Sequence, residues 1–202
     1  MKMAKLGVML MVLAFVVLAG AAFAADKPAM KTAVFAGGCF WCMESDFEHE
    51  KGKVSDVVSG YSGGKTVNPT YYDVSGGDTG HLESVQVTYD PALISYGQLL
   101  DIFWQNVDPF DPNGQFCDKG SQYRAAIFYG SDEEKQLAEA SLKKVEEKYG
   151  KKVETLILPA ATFYPAEEKH QDYSSKQTLS YKMYRNGCGR DEALEKLHEE
   201  TK

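Results

Sequence analysis

With 202 residues, 44% of them hydrophobic and 25% charged, the chain has ordinary globular composition and is long enough to bury a sizeable core in one domain. A formal charge of −7 argues against nucleic acid as a partner. Four cysteines are few for a disulfide-built scaffold of this size, although two structural disulfides are a possible use of them.

Lys2 and Lys5 precede an apolar run from Leu6 to about Leu18 and then Ala22-Phe23-Ala24, the pattern of a cleavable secretory signal over residues 1–24. Left uncleaved, Leu6 to Ala25 is long enough to anchor the chain in a membrane. Cleaved, it leaves an exported protein in the periplasm or another extracytoplasmic space, with no stable membrane association. The signal takes away two lysines and no acid, so residues 25–202 carry a charge of −9.

Thr32 to Ala36 reads as a strand, Gly37-Gly38 as a turn, and Cys39 onward as a helix with Phe40, Met43 and Phe47 on one apolar face. Cys39 then sits where unpaired N–H groups and the helix dipole favour a thiolate, and so a nucleophile. Cys39-x-x-Cys42 also fits a thioredoxin-type dithiol or half of a metal site. The first wants a different strand order, and the second wants another close ligand pair, whereas Cys117 and Cys188 stand alone.

Val54 to Tyr61 predicts a second strand. Asn68 to His81, rich in glycine and turn formers, reads as a working loop that carries Tyr71. Glu83, Val85, Val87 and Tyr89 then alternate with Ser84, Gln86 and Thr88 over a third strand. Glu83 therefore shares the apolar face, where desolvation raises a carboxyl pKa and keeps a proton available for general-acid work. Ser95 to Gln105 predicts a helix, Asp108 to Lys119 a loop and Tyr123 to Tyr129 a strand. Ser131 and Glu134 form a capping box for a helix that stops at Gly150. Val153 to Leu158 reads as a buried strand, and Asp191 to Glu200 as a terminal helix on a flexible C-terminal tail. The element order predicts an α+β fold, a ferredoxin-like split βαβ two-layer sandwich with an additional helix, strand and long loops. No phosphate loop, cofactor fingerprint or metal pattern appears, and His81 and His170 read as structural.

Five motifs in order, Gly38-Cys39-Phe40-Trp41, Gly60-Tyr61-Ser62-Gly63-Gly64, Asn68-Pro69-Thr70-Tyr71, Gly77-Asp78-Thr79-Gly80-His81-x-Glu83 and Gly120-Ser121-Gln122-Tyr123-Arg124, together resemble peptide methionine sulfoxide reductase A. The resemblance implies that Cys39 attacks the sulfur of an S-epimer methionine sulfoxide, free or in an oxidised protein. Glu83 would protonate the oxygen, assisted by Tyr71 and Tyr123, while Phe40 and Trp41 hold the ε-methyl group and Asp118 supports the site. Cys39 would become a sulfenic acid, resolved to an intramolecular disulfide by Cys42, with Cys188 as a second relay. No cofactor is implied, so a thioredoxin-like dithiol supplies the electrons. Helix residues three apart hold their Cβ atoms about 5–6 Å apart against roughly 3.8 Å in a disulfide, so Cys42 needs the first helical turn to loosen. Cys117 is expected to be simply packed.

Overall fold

In the computed structural model, which describes residues 29–50 and 52–199, β1 (Lys31–Ala36) and β3 (Leu82–Tyr89) form the centre of the molecule. The expected signal segment, residues 1–24, lies outside the described residues. β1 leads into α1 (Phe40–Glu48) and β2 (Val54–Ser62), then α2 (Tyr71–Ser75) and β3, then α3 (Tyr96–Gln105). A small hairpin of β4 (Gly114–Gln115) and β5 (Asp118–Lys119) precedes β6 (Ala126–Tyr129), α4 (Asp132–Tyr149) and β7 (Leu156–Pro159). The chain ends in β8 (Tyr164–Pro165), α5 (Tyr173–Lys176), α6 (Thr178–Cys188) and α7 (Arg190–Glu199).

The main sheet runs β7-β6-β1-β3-β2-β8. Its four central strands are antiparallel neighbours in the order expected of a split βαβ core, and β7 adds to β6 in parallel. Under the helices, Phe35 stacks between Phe47 at 5.1 Å and Phe103 at 5.5 Å, with Val85, Val87, Leu99 and Ile127 around it. Such burial is the main drive to this packing. The other sheet face carries a smaller cluster of Ala36, Leu82, Ala126 and Phe128.

Local chemistry sets the helix ends. Thr70 and Asp73 form a capping box for α2, so part of the segment read as irregular loop is helical. Ser131 caps α4 through the Glu134 N–H, but the Glu134 carboxylate reaches Gly130 N at 2.7 Å, one residue outside the expected box. Gly150 ends α4 in the left-handed conformation. Three further expectations shift. The strand at Tyr123 begins at Ala126, because Ser121–Tyr123 forms a 3₁₀ turn. β7 is a half-buried edge strand, not a fully buried one. The C-terminal segment read as a flexible tail is ordered: the expected terminal helix is α7, and α5 and α6, which were not expected, precede it, with α6 fastened to α1 through Arg185.

Two arginines fasten that segment. Arg185 on α6 donates to Asp46 of α1 and also pairs with Asp191. Arg190, 1% exposed, donates to Gly37 O at 3.1 Å and to Asn106 O, faces Asp46 at 3.6 Å, and lies over the Phe116 ring. It thus ties the start of α7 to the turn that precedes Cys39. Breaking a buried pair from one side is strongly destabilising because the other charge stays behind. Arg190→Met is expected to lower unfolding free energy by about 3 kcal/mol, measured as a shift of the urea midpoint with disulfides intact.

Candidate active site

Cys39 stands at the end of the turn after β1. Gly38 holds φ +84°, and a Cβ there would come within 2.6 Å of Gln115, so glycine is required at this step. Cys39 is the N-cap of α1, but its thiol caps no backbone N–H. The first-turn Phe40 N–H instead donates to Glu83 Oε2 at 3.0 Å. Sheet register explains why Glu83 is there: Phe35 pairs with Val85, and Glu83, two residues before Val85 on the antiparallel β3, lies beside the point where the chain leaves β1 for α1.

One cavity of about 60 Å³ is lined by Cys39, Phe40, Trp41, Tyr71, Glu83, Asp118, Tyr123 and Tyr184. Seven of these are the nucleophile, acid, hydroxyl donors, aromatic pair and supporting carboxylate expected from sequence; Tyr184 is new. Glu83 is 2% exposed, and burial pushes its carboxyl up to about 8 against the opposing Phe40 hydrogen bond, with the Asp118 and Cys42 charges adding to the rise. Burial also raises Tyr71, Tyr123 and Asp118 from their ordinary values.

The cysteines differ from expectation. Burial, the hydrogen bond to Cys42 and the Glu83 charge hold the Cys39 thiol well above the ordinary thiol range, so the helix start does not make it a resting thiolate. Burial is the largest cause, and the first-turn Phe40 N–H is engaged by Glu83. Cys42 is the thiol held low, first by its hydrogen bond with Cys39 and then, against its own burial, by Arg190 and Arg185. Cys117, expected to be packed, is exposed and disulfide-bonded to Cys188. Cys188 therefore offers no free thiol in this state, whereas Cys39 and Cys42 are free. Cys117, Asp118 and Cys188 bring three donor atoms within 4.8 Å, but with both sulfurs joined neither is a thiolate ligand.

Residues 31–202 match the family model described as peptide methionine sulfoxide reductase. The chain belongs to the peptide methionine sulfoxide reductase family. The peptide methionine sulfoxide reductase MsrA of Halalkalibacterium halodurans is 50% identical over 169 residues, covering 83% of this chain and 96% of the relative. Mxr1 of Saccharomyces cerevisiae in its reduced form superposes with a TM-score of 0.70 at 35% identity, over 74% of this chain and 86% of that one. Mxr1 in complex with Trx2 gives a TM-score of 0.53 at 25% identity, over 74% of this chain and 91% of that one. This chain is accordingly a thiol-dependent oxidoreductase that reduces methionine sulfoxide.

Glu167, Tyr173, Tyr181, Tyr184 and Arg185 were not singled out from the sequence, whereas His170 and His81 were expected to be structural. His170 accepts from Trp41 Nε1 at 3.2 Å and packs on Phe40 and Tyr71, and burial lowers its pKa, consistent with a neutral ring that accepts at Nδ1. Tyr173 stacks flat on Trp41, with centroids 3.8 Å apart. Glu167 accepts from Tyr71 N and Tyr61 OH, fixing the start of α2. His81 is structural, accepting from Gly64 N and bonding Thr66 O. Tyr181, Tyr184, Arg185 and Cys188 fall at spacings of three, four and seven, which is the pattern that would have marked α6.

A carboxyl at about 8 holds its proton below that pH and loses it above. Single-turnover release of methionine from an S-sulfoxide peptide should therefore fall as pH rises through about 8. Glu83→Gln should remove that descending limb and slow release by about a hundredfold or more, the usual contribution of a positioned acid; stopped-time quench with amino-acid analysis checks both.

Proposed function

We propose that this reductase takes the S epimer of methionine sulfoxide, in proteins or free, and reduces it through a Cys39 sulfenic acid. The observation that carries the reading is the meeting of Cys39 with the buried, protonated Glu83 and the Tyr71 and Tyr123 hydroxyls around one cavity. An acid held neutral at physiological pH protonates an oxygen that becomes basic only as the sulfur is attacked, which is transition-state stabilisation. Phe40 and Trp41 offer aromatic surface to the ε-methyl group, and His170 and Tyr173 hold Trp41 in place.

In the chemical step the Cys39 sulfur attacks the sulfoxide sulfur, which is reduced by two electrons and leaves as the thioether. The oxygen, protonated by Glu83, ends as the hydroxyl of the Cys39 sulfenic acid. Cys42 then resolves it. Arg190 and Arg185 favour its thiolate form, and attack of that thiolate on the Cys39 sulfur forms the Cys39–Cys42 disulfide and, with one proton, releases water. A thioredoxin-like dithiol reduces that disulfide; support comes from the structural likeness to Mxr1 in complex with Trx2. The lysine, apolar and Ala-x-Ala pattern of residues 1–24 supports export of the enzyme.

A cysteine series tests the assignment. Cys39→Ser should abolish single-turnover methionine release, while Cys42→Ser should release about one methionine per enzyme and accumulate a sulfenic acid that dimedone traps. Methionine release from Cys39→Ser, or an undiminished Cys39 disulfide in Cys42→Ser, contradicts the respective role.

A further inference from the structure

The buried Cys39 thiol must lose its proton before its sulfur can attack, and the site's acid cannot take it. Glu83 already holds the proton that the sulfoxide oxygen needs, and the raised Tyr71 and Tyr123 phenols stay protonated beside it. The other titratable groups facing Cys39 are Cys42 on its own helix, Tyr184 from α6 and, behind that phenol, Asp118 from β5. The Tyr184 hydroxyl donates to Asp118 Oδ2 at 2.5 Å and also lies within hydrogen-bonding reach of the Cys39 sulfur. A phenol placed between a thiol and a carboxylate is a proton path.

We propose that Tyr184 is a catalytic residue that passes the Cys39 proton to the Asp118 carboxylate as Cys39 attacks the sulfoxide. The proposal rests on the function stated above. The S–H bond breaks with its electron pair left on sulfur; the proton bonds to the Tyr184 oxygen while the phenolic proton moves to Asp118. Glu83 gives its own proton to the sulfoxide oxygen, and the proton on Asp118 restores Glu83 after the thioether has formed. Thiol plus sulfoxide thus becomes sulfenic acid plus thioether with no net proton change.

The scaffold holds both ends of this path. Cys188 lies one helical turn beyond Tyr184, on the same face of α6, and Cys117 directly precedes Asp118. Their disulfide therefore ties the donor's helix to the acceptor's hairpin. Cys188 Sγ is 4.0 Å from Asp118 Oδ2, the oxygen that accepts from Tyr184. The Tyr184 ring stands edge-on to Trp41 with centroids 5.7 Å apart, and Arg185, its neighbour on α6, is anchored on Asp46. Burial raises Asp118, which suits a temporary proton holder, against the Tyr184 hydrogen bond and the charges of Arg190 and Lys119, which favour its carboxylate form.

The test is single-turnover methionine release across pH for the intact, disulfide-bonded protein, Tyr184→Phe, Asp118→Asn, the double variant and Cys42→Ser. Phenylalanine keeps the ring against Trp41 and removes only the hydroxyl. At about pH 6, Tyr184→Phe and Asp118→Asn should each slow release about a hundredfold, with half-saturating sulfoxide changed less than about twofold. The ascending limb should move to higher pH, the deficit should narrow towards pH 8, and the double variant should be no slower than the slower single. A Tyr184→Phe profile like that of the parent, or one lowered equally at every pH, overturns the relay. So does an ascending limb that moves in Cys42→Ser but not in Tyr184→Phe, which would make Cys42 the base. Iodoacetamide alkylation of Cys39 in the Cys42→Ser background needs no sulfoxide, and its pH dependence should shift upward with Tyr184→Phe; no shift also overturns the relay. A parent protein that releases no methionine overturns the function itself, and the alkylation readout separates that failure from the first.

Discussion

The hydrogen bond from the Phe40 N–H to Glu83 fastens the first turn of α1 to β3 within the interior. A helix start leaves such donors without intrahelical partners, and a buried carboxyl without one would be strongly disfavoured. Each group therefore answers the need of the other. The contact fixes where Cys39 sits, directs Phe40 into the core, and seals Glu83 from water. Burial then outweighs the single hydrogen bond, and the carboxyl keeps its proton. The burial that Glu83 shares with Cys39 and the Glu83 charge also hold that thiol above the ordinary range. The site is thus built with its acid charged with a proton and its nucleophile at rest.

Around that tie the chain closes twice. β2 and α2 bring Tyr71 to one side, held by Glu167, while the 3₁₀ turn before β6 brings Tyr123. From the other side α5 to α7 fold back across α1, fastened by Arg185 and Arg190 on Asp46 and by the Cys117–Cys188 disulfide. Burying guanidinium groups carries a desolvation penalty that only paired charges and hydrogen bonds offset. Arg190 meets that condition with two backbone carbonyls and Asp46. These contacts set the electrostatics of the thiols as well as the shape of the site, because the same arginines lower the pKa of Cys42.

Much of this was legible in the sequence where a local signal carries long-range meaning. Strand alternation placed Glu83 on the buried face, the glycine turn placed Cys39 at a helix start, and the order of elements gave the sheet core. The state of Cys39 was not legible, since it depends first on burial by elements distant in sequence and on the charge of Glu83 from β3. Nor was the partner of Cys117, because a pairing across 71 residues leaves no periodic trace. The helix α6 was within reach: its inward stripe is made of tyrosines and an arginine instead of aliphatic residues, so an apolar pattern search passes over it. Tyr184 was missed for that reason, although it lines the same cavity as the seven residues that were found.

Infrared difference spectroscopy between the parent protein and Glu83→Gln at pH 7 shows whether Glu83 is a neutral acid in the resting enzyme. A protonated-carboxyl stretch is expected in the parent that the variant lacks and that fades as pH rises through about 8. If the difference spectrum shows only carboxylate bands at pH 7, Glu83 is ionised, and it cannot be the proton donor to the sulfoxide oxygen.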